Sequence, residues 1–414
     1  MNSWLAFVES NTSGTGRLFA RAAAQNGFRP ILLSNNPARY SYVSQDGLDT
    51  FEVDTRDEWT VLDACRSLAR RPGLAGVTSS SEYFVSTAAS VARRLGLAGP
   101  SPVAVRNCRD KFRQRRLLEK ASVQIPAFRR ATSIKTAARA ARELGLPVIV
   151  KPVSGSGSNG VKLCLDLDEV TAHAAQLLNQ QHNERGGLVA RRILIESVVS
   201  GPEYSVETFD LEVIGITQKH LGPLPDFVEI GHDYPAPLSP TTKKQIENIA
   251  QQSLIALGLG WGPAHIELRM SESGPQIIEV NPRLAGGYIP ELVRLSCGIG
   301  LISETIARVV GEQPQLSSTC HYHTSIRFIL SPENGTLVGV AGLDQVQSVP
   351  GIVEVKLYAP VGAELRRHGD FRDRIGHVIA RGSTHEEAVQ AAETAHSAVN
   401  LIIQPQEVSV AQST

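Results

Sequence analysis

The chain has 414 residues, 42% of them hydrophobic and 20% charged, and its 41 basic and 41 acidic residues cancel. That composition belongs to a globular protein of about two to four domains, and the balanced charge gives no reason to expect nucleic acid or membrane as a partner. Five cysteines without a CxxC pair argue against a disulfide framework or zinc site, and with neither a basic, apolar leader nor an apolar run of about 18 residues a soluble cytoplasmic protein is expected.

Strand and helix patterns alternate through the first hundred residues. Strands are expected at 4–9, 30–34 and 74–78, and helices at 16–26, 57–70 and 82–95. This βαβ rhythm predicts a parallel sheet covered by helices. One helix is expected over 107–121, N-capped by Asn107, and another over 134–144. Residues 147–151 read as a buried strand ending in Lys151, followed by a glycine–serine loop at 154–160 and a strand at 161–165. Further strands are expected at 192–199 and 203–208, then a helix over 241–257. Beyond a loop at 311–318, strands near 322–330, 352–357 and 376–381 and a helix from 385 to about 400 make a mixed α+β unit. Residues 406–414 read as a frayed tail.

Two of the glycine loops invite nucleotide motifs and fail them. Gly14 and Gly16 follow the first strand, but Phe19 stands where a dinucleotide fingerprint needs its third glycine, and no acid follows the second strand. The turn is either a plain tight turn or a helix N-terminus that receives a substrate carboxylate. Gly155 and Gly160 have P-loop separation, but Val161 replaces the required lysine. The loop then reads as a flap whose backbone N–H groups wrap phosphate oxygens, or as a linker.

The segments 264–270 and 276–283 alternate apolar and polar residues and predict a hairpin with a five-residue turn at 271–275. If Met270 pairs with Gln276, Glu267 opposes Glu279 and His265 opposes Asn281, with Ile277 on the same face as Glu279. Directly opposed Cβ atoms lie roughly 4.5–5.5 Å apart, where two like charges repel. A cation resolves the conflict, and carboxylates with an amide oxygen are the hard donors Mg²⁺ takes. A solvated face with incidental acids is the other reading. Arg283 adds a positive charge two residues beyond Asn281.

These pieces resemble, in order and approximate spacing, an ATP-grasp carboxylate–amine ligase. The likeness runs through Asp110-Lys111, Val148-Ile-Val-Lys-Pro152, the glycine loop, Ile195-Glu-Ser-Val-Val199 with Glu203, then Glu267 and Glu279-Val-Asn-Pro-Arg283. It implies an α/β and α+β protein with the ATP-grasp fold: a parallel-sheet pre-grasp domain (1–106), a small grasp subdomain with the flap (107–190), a large one with the metal site (191–312) and a C-terminal α+β domain (313–414). ATP phosphates are then expected on Lys111, Lys151 and the flap residues Ser156, Gly157 and Ser158. Adenine falls on the backbone around Glu196, Ser197, Val198 and Val199, and the ribose on Glu203. Two Mg²⁺ ions fall on Glu267 and Glu279 with Asn281, and the acyl phosphate on Arg283.

Arg283-Leu-Ala-Gly-Gly287 and His265 lean toward the L-amino-acid ligases, dipeptide synthetases of the dapdiamide-synthetase type, whose products include peptide antibiotics. The substrates expected are a small carboxylic acid and an amino acid, in a homodimer as the family leads one to expect. His265 and Glu82 are candidates for the base or for ammonium recognition, with Glu82 equally a helix-capping acid. Gly286 and Gly287 either leave room for a substrate side chain or form a turn. A purine-pathway or carboxylating grasp enzyme, and an inactive nucleotide-binding protein, are the alternatives.

Overall fold

The computed structural model describes residues 2–12, 15–70, 73–223 and 227–405. Gly14 of the first glycine turn and the tail from Gln406 lie outside the described residues. The N-terminal region is the expected parallel sheet, ordered Asp49–Glu52, Arg29–Ser34, Trp4–Val8, Leu74–Thr78. Its central strand is apolar and buried throughout because helices cover both faces. Leu5 and Phe7 join one core with Phe19, while Trp4, Ala6 and Val8 join another with Val61 and Cys65. The edge strand Asp49–Glu52 had no clear pattern, being short and mostly exposed. The helix expected over 82–95 begins at Val85 and is N-capped by Phe84, so Glu82 lies in the turn before it and does not cap it.

The helix expected over 107–121 is two helices, Pro102–Arg109 and Lys111–Lys120. Asp110 breaks the run with φ −104° and ψ 102° and caps the second helix by accepting from the Arg113 N–H. Asn107 therefore sits inside a helix, its amide donating to the Leu257 carbonyl at 3.2 Å. The break makes Lys111 the first residue of its helix, where its N–H is left over from the helical ladder and donates to Val153 O at 2.8 Å.

A four-stranded antiparallel sheet follows, ordered Phe128–Ala131, Ile193–Ser197, Val148–Pro152, Lys162–Cys164. Helices Ile134–Leu144 and Leu167–Asn179 cover it with alanines and small aliphatics. Ile193–Ser197 belongs to this small sheet, so the chain crosses to the large lobe after Ser197 and not near residue 190.

The large lobe carries eight strands, ordered Gly274–Asn281, Pro263–Ser271, Glu203–Phe209, Glu212–Leu221, Glu229–Tyr234, His323–Leu330, Arg374–Gly382, Ile352–Leu357. The last three come from the C-terminal region, which extends the large sheet across the pairing of Gly231 with Arg327. A small sheet of Glu364–Leu365, Gly335–Ala341 and Asn400–Pro405 completes that region.

The hairpin reaches its expected pairing by a different route. Ser271 opposes Gly274, so the turn is Glu272-Ser273, and Met270 opposes Pro275. A bulge at Ile278 then inserts one residue, which restores Glu267 opposite Glu279 and His265 opposite Asn281. The same bulge reverses the alternation before it. Ile277 is wholly buried with Ile266, Leu268 and Val280, contrary to the face expected for it.

Candidate active site

A cleft of about 1640 Å³ opens between the N-terminal sheet, the glycine flap, the large sheet and the C-terminal region. Of the residues singled out in the sequence, Glu82, Ser156, Gly157, Ser158, His265, Glu267, Arg283, Gly286 and Gly287 line it. Lys111, Lys151, Glu196 and Glu279 form an adjoining set, joined to it by the opposed Glu267 and Glu279 and closed by ion pairs.

Glu82 is buried and pairs with both Arg283 and Arg109. Burial alone would raise its carboxyl, but the charges of Arg109, Arg283 and Lys111 outweigh it and hold the group down to about 2. Glu82 is thus held as an anion that anchors Arg283 across the cleft. Arg283 also donates to its neighbour's carbonyl, Leu284 O, at 2.8 Å.

On the adjoining side, the Lys111 ammonium meets Glu279 at 2.7 Å and approaches the Gly155 carbonyl at 3.5 Å. Lys151 pairs with Glu196 at 2.5 Å, and Arg115 pairs with the other Glu196 oxygen at 2.6 Å. Burial pushes the Lys151 ammonium down, against the pull of Glu196. Arg115 is fully buried and also donates to Ile278 O, the carbonyl turned aside at the bulge. It looked like one more surface charge on a basic helix, and nothing in its spacing marked it. In the backbone of residues 196–199, the Ser197 N–H is taken by Ala127 O and the Val199 carbonyl by Arg269.

The large sheet adds a group that the sequence did not reveal. Lys219 is buried with its ammonium 2.9 Å from Glu203, 2.6 Å from Glu229 and 2.6 Å from Glu267. Burial opposes its charge, but the three carboxylates raise it well above the ordinary lysine range. Glu229 and His232 share the Lys219 side because a register shift beside His220 inserts Ile230; plain alternation would have parted them. His232 is fully buried, 3.5 Å from Glu229. From the C-terminal strand, Arg374 clamps Glu229 through its carbonyl at 3.0 Å and its carboxylate at 2.7 Å. Glu203 is held by Lys219 and by Arg269 at 3.0 Å.

His265 lies between Glu207 at 2.9 Å and Glu267 at 3.3 Å. Burial disfavours its charge, yet the two carboxylates, Glu207 first, lift the imidazole to about 9. Carboxylates at both ring nitrogens favour its charged form in this arrangement. Carboxylate oxygens of Glu203, Glu229 and Glu267 lie within 4.8 Å of one another. With Glu279 opposite Glu267, the donor set is hard oxygen of the kind Mg²⁺ takes, and the chain balances it with lysines.

The two loop glycines separate in role. A Cβ on Gly286 would meet nothing within 4 Å. A Cβ on Gly287, at φ 58°, would meet His232 Nε2 at 2.6 Å, so the bare glycine lets the imidazole pack against the loop. In the flap, a Cβ on Gly157 (φ 64°) would stand 2.8 Å from the Phe371 ring, which places the C-terminal region against the flap.

Two family descriptions match the chain: an ATP-grasp domain over residues 144–291 and the L-amino acid ligase C-terminal domain 2 over residues 327–404. The uncharacterized protein y4rH of Sinorhizobium fredii is 37% identical over 98% of this chain and 84% of its own length. Carnosine synthase 1 of Gallus gallus is 28% identical over 72% of this chain, which spans about a third (34%) of that protein. The crystal structure of an L-amino acid ligase from Bacillus licheniformis superposes with a TM-score of 0.81 at 21% identity, covering 97% of this chain and 99% of that one, and so shares the fold. No helix among the described residues is long and apolar enough to cross a membrane. With its opposed acids, its paired lysines and an L-amino acid ligase C-terminal domain, the chain belongs to the ATP-grasp carboxylate–amine ligases.

Proposed function

We propose that this ligase joins a carboxylic acid, in the first instance an amino acid, to the amino group of a second amino acid through an acyl phosphate, with release of ADP and phosphate. Arg283 carries the reading. It stands at the cleft beside the opposed Glu267 and Glu279 strands, locked by a buried anion from another domain. A fixed guanidinium there suits a group that accumulates negative charge during transfer.

The carboxylate substrate attacks the terminal phosphorus of ATP, bringing an anion toward a polyanion, so catalysis is mostly charge neutralisation and positioning. Lys111, Lys151 and the flap Ser156–Gly157–Ser158 are assigned to the phosphates, the backbone of Glu196–Val199 to adenine and Glu203 to the ribose. The ion pairs of Lys111 with Glu279 and of Lys151 with Glu196 would exchange for phosphate oxygens as ATP enters. Glu267, Glu279 and Asn281 would hold Mg²⁺, two ions in this reading, which when bound supplies charge neutralisation at phosphate oxygens. The amine then attacks the acyl carbonyl with Arg283 facing the oxyanion, and phosphate departs. A dipeptide or small peptide antibiotic is the product class that this reading carries.

Phosphate release across amino-acid pairs, with mass spectrometry of the products, tests it. ADP with a new amide supports the ligase. Release only with a ribonucleotide amine supports a purine-pathway role, and ATP binding without product under every pairing leaves a nucleotide-binding protein. Arg283→Ala is expected to keep ATP affinity while turnover falls about 10²–10³-fold; retained turnover would remove Arg283 from its role.

A further inference from the structure

Beyond Arg283 the chain runs to Tyr288, which adopts φ 62° and ψ 9°. This is the left-handed region, rarely taken by a bulky residue, and such a conformation persists only where its surroundings hold it. The Tyr288 ring lies parallel to that of Tyr358, 2° between planes and 6.3 Å between centroids. His377 lies 4.3 Å from Tyr288 and 5.6 Å from Tyr358. Its Nδ1 is 2.6 Å from the Tyr358 hydroxyl. Three separate elements therefore converge, two of them from the C-terminal region.

His377 is fully buried, with the Glu354 carboxylate 3.7 Å from its other nitrogen. Burial, with the Lys356 charge nearby, pushes the imidazole down to about 4. The imidazole Nδ1 and the Tyr358 hydroxyl share one hydrogen bond, which ties the Tyr358 side chain to the buried His377. What the ladder offers the cleft is ring surface. Tyr288, Leu357, Tyr358 and Phe371 line the same cleft as Glu267 and Arg283. Lys356 lines it too, but it is exposed, where a charge partner is screened by solvent.

We propose that Tyr288 and Tyr358, positioned by His377, form the wall that selects the side chain of an amino-acid substrate, and that the wall takes a planar aromatic side chain. The inference rests on the amino-acid ligase reading for which substrate occupies the cleft. Aromatic rings packed edge-to-face or offset gain attraction beyond their buried area. An aliphatic methyl gains little of it, and an acidic side chain would have to find Lys356 instead.

The test is a calorimetric titration of the full chain, saturated with Mg²⁺ and a non-hydrolysable ATP analogue, with L-phenylalanine, L-alanine and L-glutamate. Wild type is expected to bind phenylalanine about tenfold more tightly than alanine. Tyr358→Phe keeps that preference, because the ring remains, and Tyr358→Ala removes it. Tyr288→Gly removes it as well and guards against misfolding, since glycine takes this backbone conformation freely. Equal binding of phenylalanine and alanine, a preference for glutamate, or a phenylalanine preference surviving both ring deletions would overturn the wall. Phosphate release with the same amino acids reads the ligase reaction separately. Turnover without aromatic preference sinks the wall alone, and aromatic preference with no product under any pairing sinks the ligase reading alone.

Discussion

Replacing Glu82 by glutamine tests whether the N-terminal domain sets the position of Arg283. Glu82 is 3% exposed and bridges Arg283 and Arg109. Its carboxyl is held at about 2 against an ordinary 4.5, and at about 1.36 kcal/mol per pH unit this is about 3 kcal/mol favouring the charged form. A folded-state value below the unfolded one gives stability that is complete above about 4.5 and lost as pH falls through about 2. Wild type should therefore lose about 1 kcal/mol from this group by pH 4 and most of the rest by pH 2. Glu82→Gln removes the charge and leaves two arginines facing each other. Losing one member of a buried pair costs about 3–5 kcal/mol, and the lower end applies here because both guanidiniums keep some exposure to water. Denaturant unfolding at pH 7 and pH 4 is the assay: the variant should be weaker at pH 7, with part of the pH dependence gone. Turnover should fall about 10²-fold with ATP affinity kept, since a guanidinium misplaced by about 1 Å loses that much. A variant that matches wild type in both stability at pH 7 and turnover would refute the anchoring role.

Gly286→Ala should leave the melting temperature unchanged, whereas Gly287→Ala should lower it, because the added methyl meets His232 at 2.6 Å and the backbone is left-handed; equal melting of the two variants would contradict the roles given to the glycines. Lys219→Met leaves Glu203, Glu229 and Glu267 facing one another without their ammonium, at a cost of about 3–5 kcal/mol. Millimolar Mg²⁺ should raise the variant's melting temperature more than that of wild type, and an equal response would argue against cation binding by these carboxylates.

The N-terminal parallel sheet, the glycine loop and the two strands of the hairpin were legible because each is a local pattern. Residues 4–8 are apolar without a break, as a strand covered on both faces must be, and Glu267 and Glu279 fall on alternating positions of two short strands. The single helix drawn over 107–121 failed at Asp110, whose side chain offered the backbone a cap in place of another helical turn. Arg115, Lys219, Glu229 and Arg374 escaped notice for a different reason. Each is an ordinary charged residue in its own segment, and its burial depends on partners from other strands, such as Glu196 for Arg115, Glu267 for Lys219 and Arg374 for Glu229, which lie 81, 48 and 145 positions away. Glu82 was singled out, but as a base, an ammonium-recognising acid or a cap; only the two arginines brought to it make it an anchor.

What the chain settled by itself is the parallel N-terminal sheet, the glycine loop and the acidic hairpin, because strand alternation and glycine placement act over a few residues. Tertiary structure decided which charges neutralise one another, where the bulges at Ile230 and Ile278 turn side chains to a common face, and that the C-terminal strands continue the large sheet into the cleft wall. A bulge shifts every later side chain by one position, and a buried ion pair exists only once both partners have left water. Neither is written in the spacing of either partner alone.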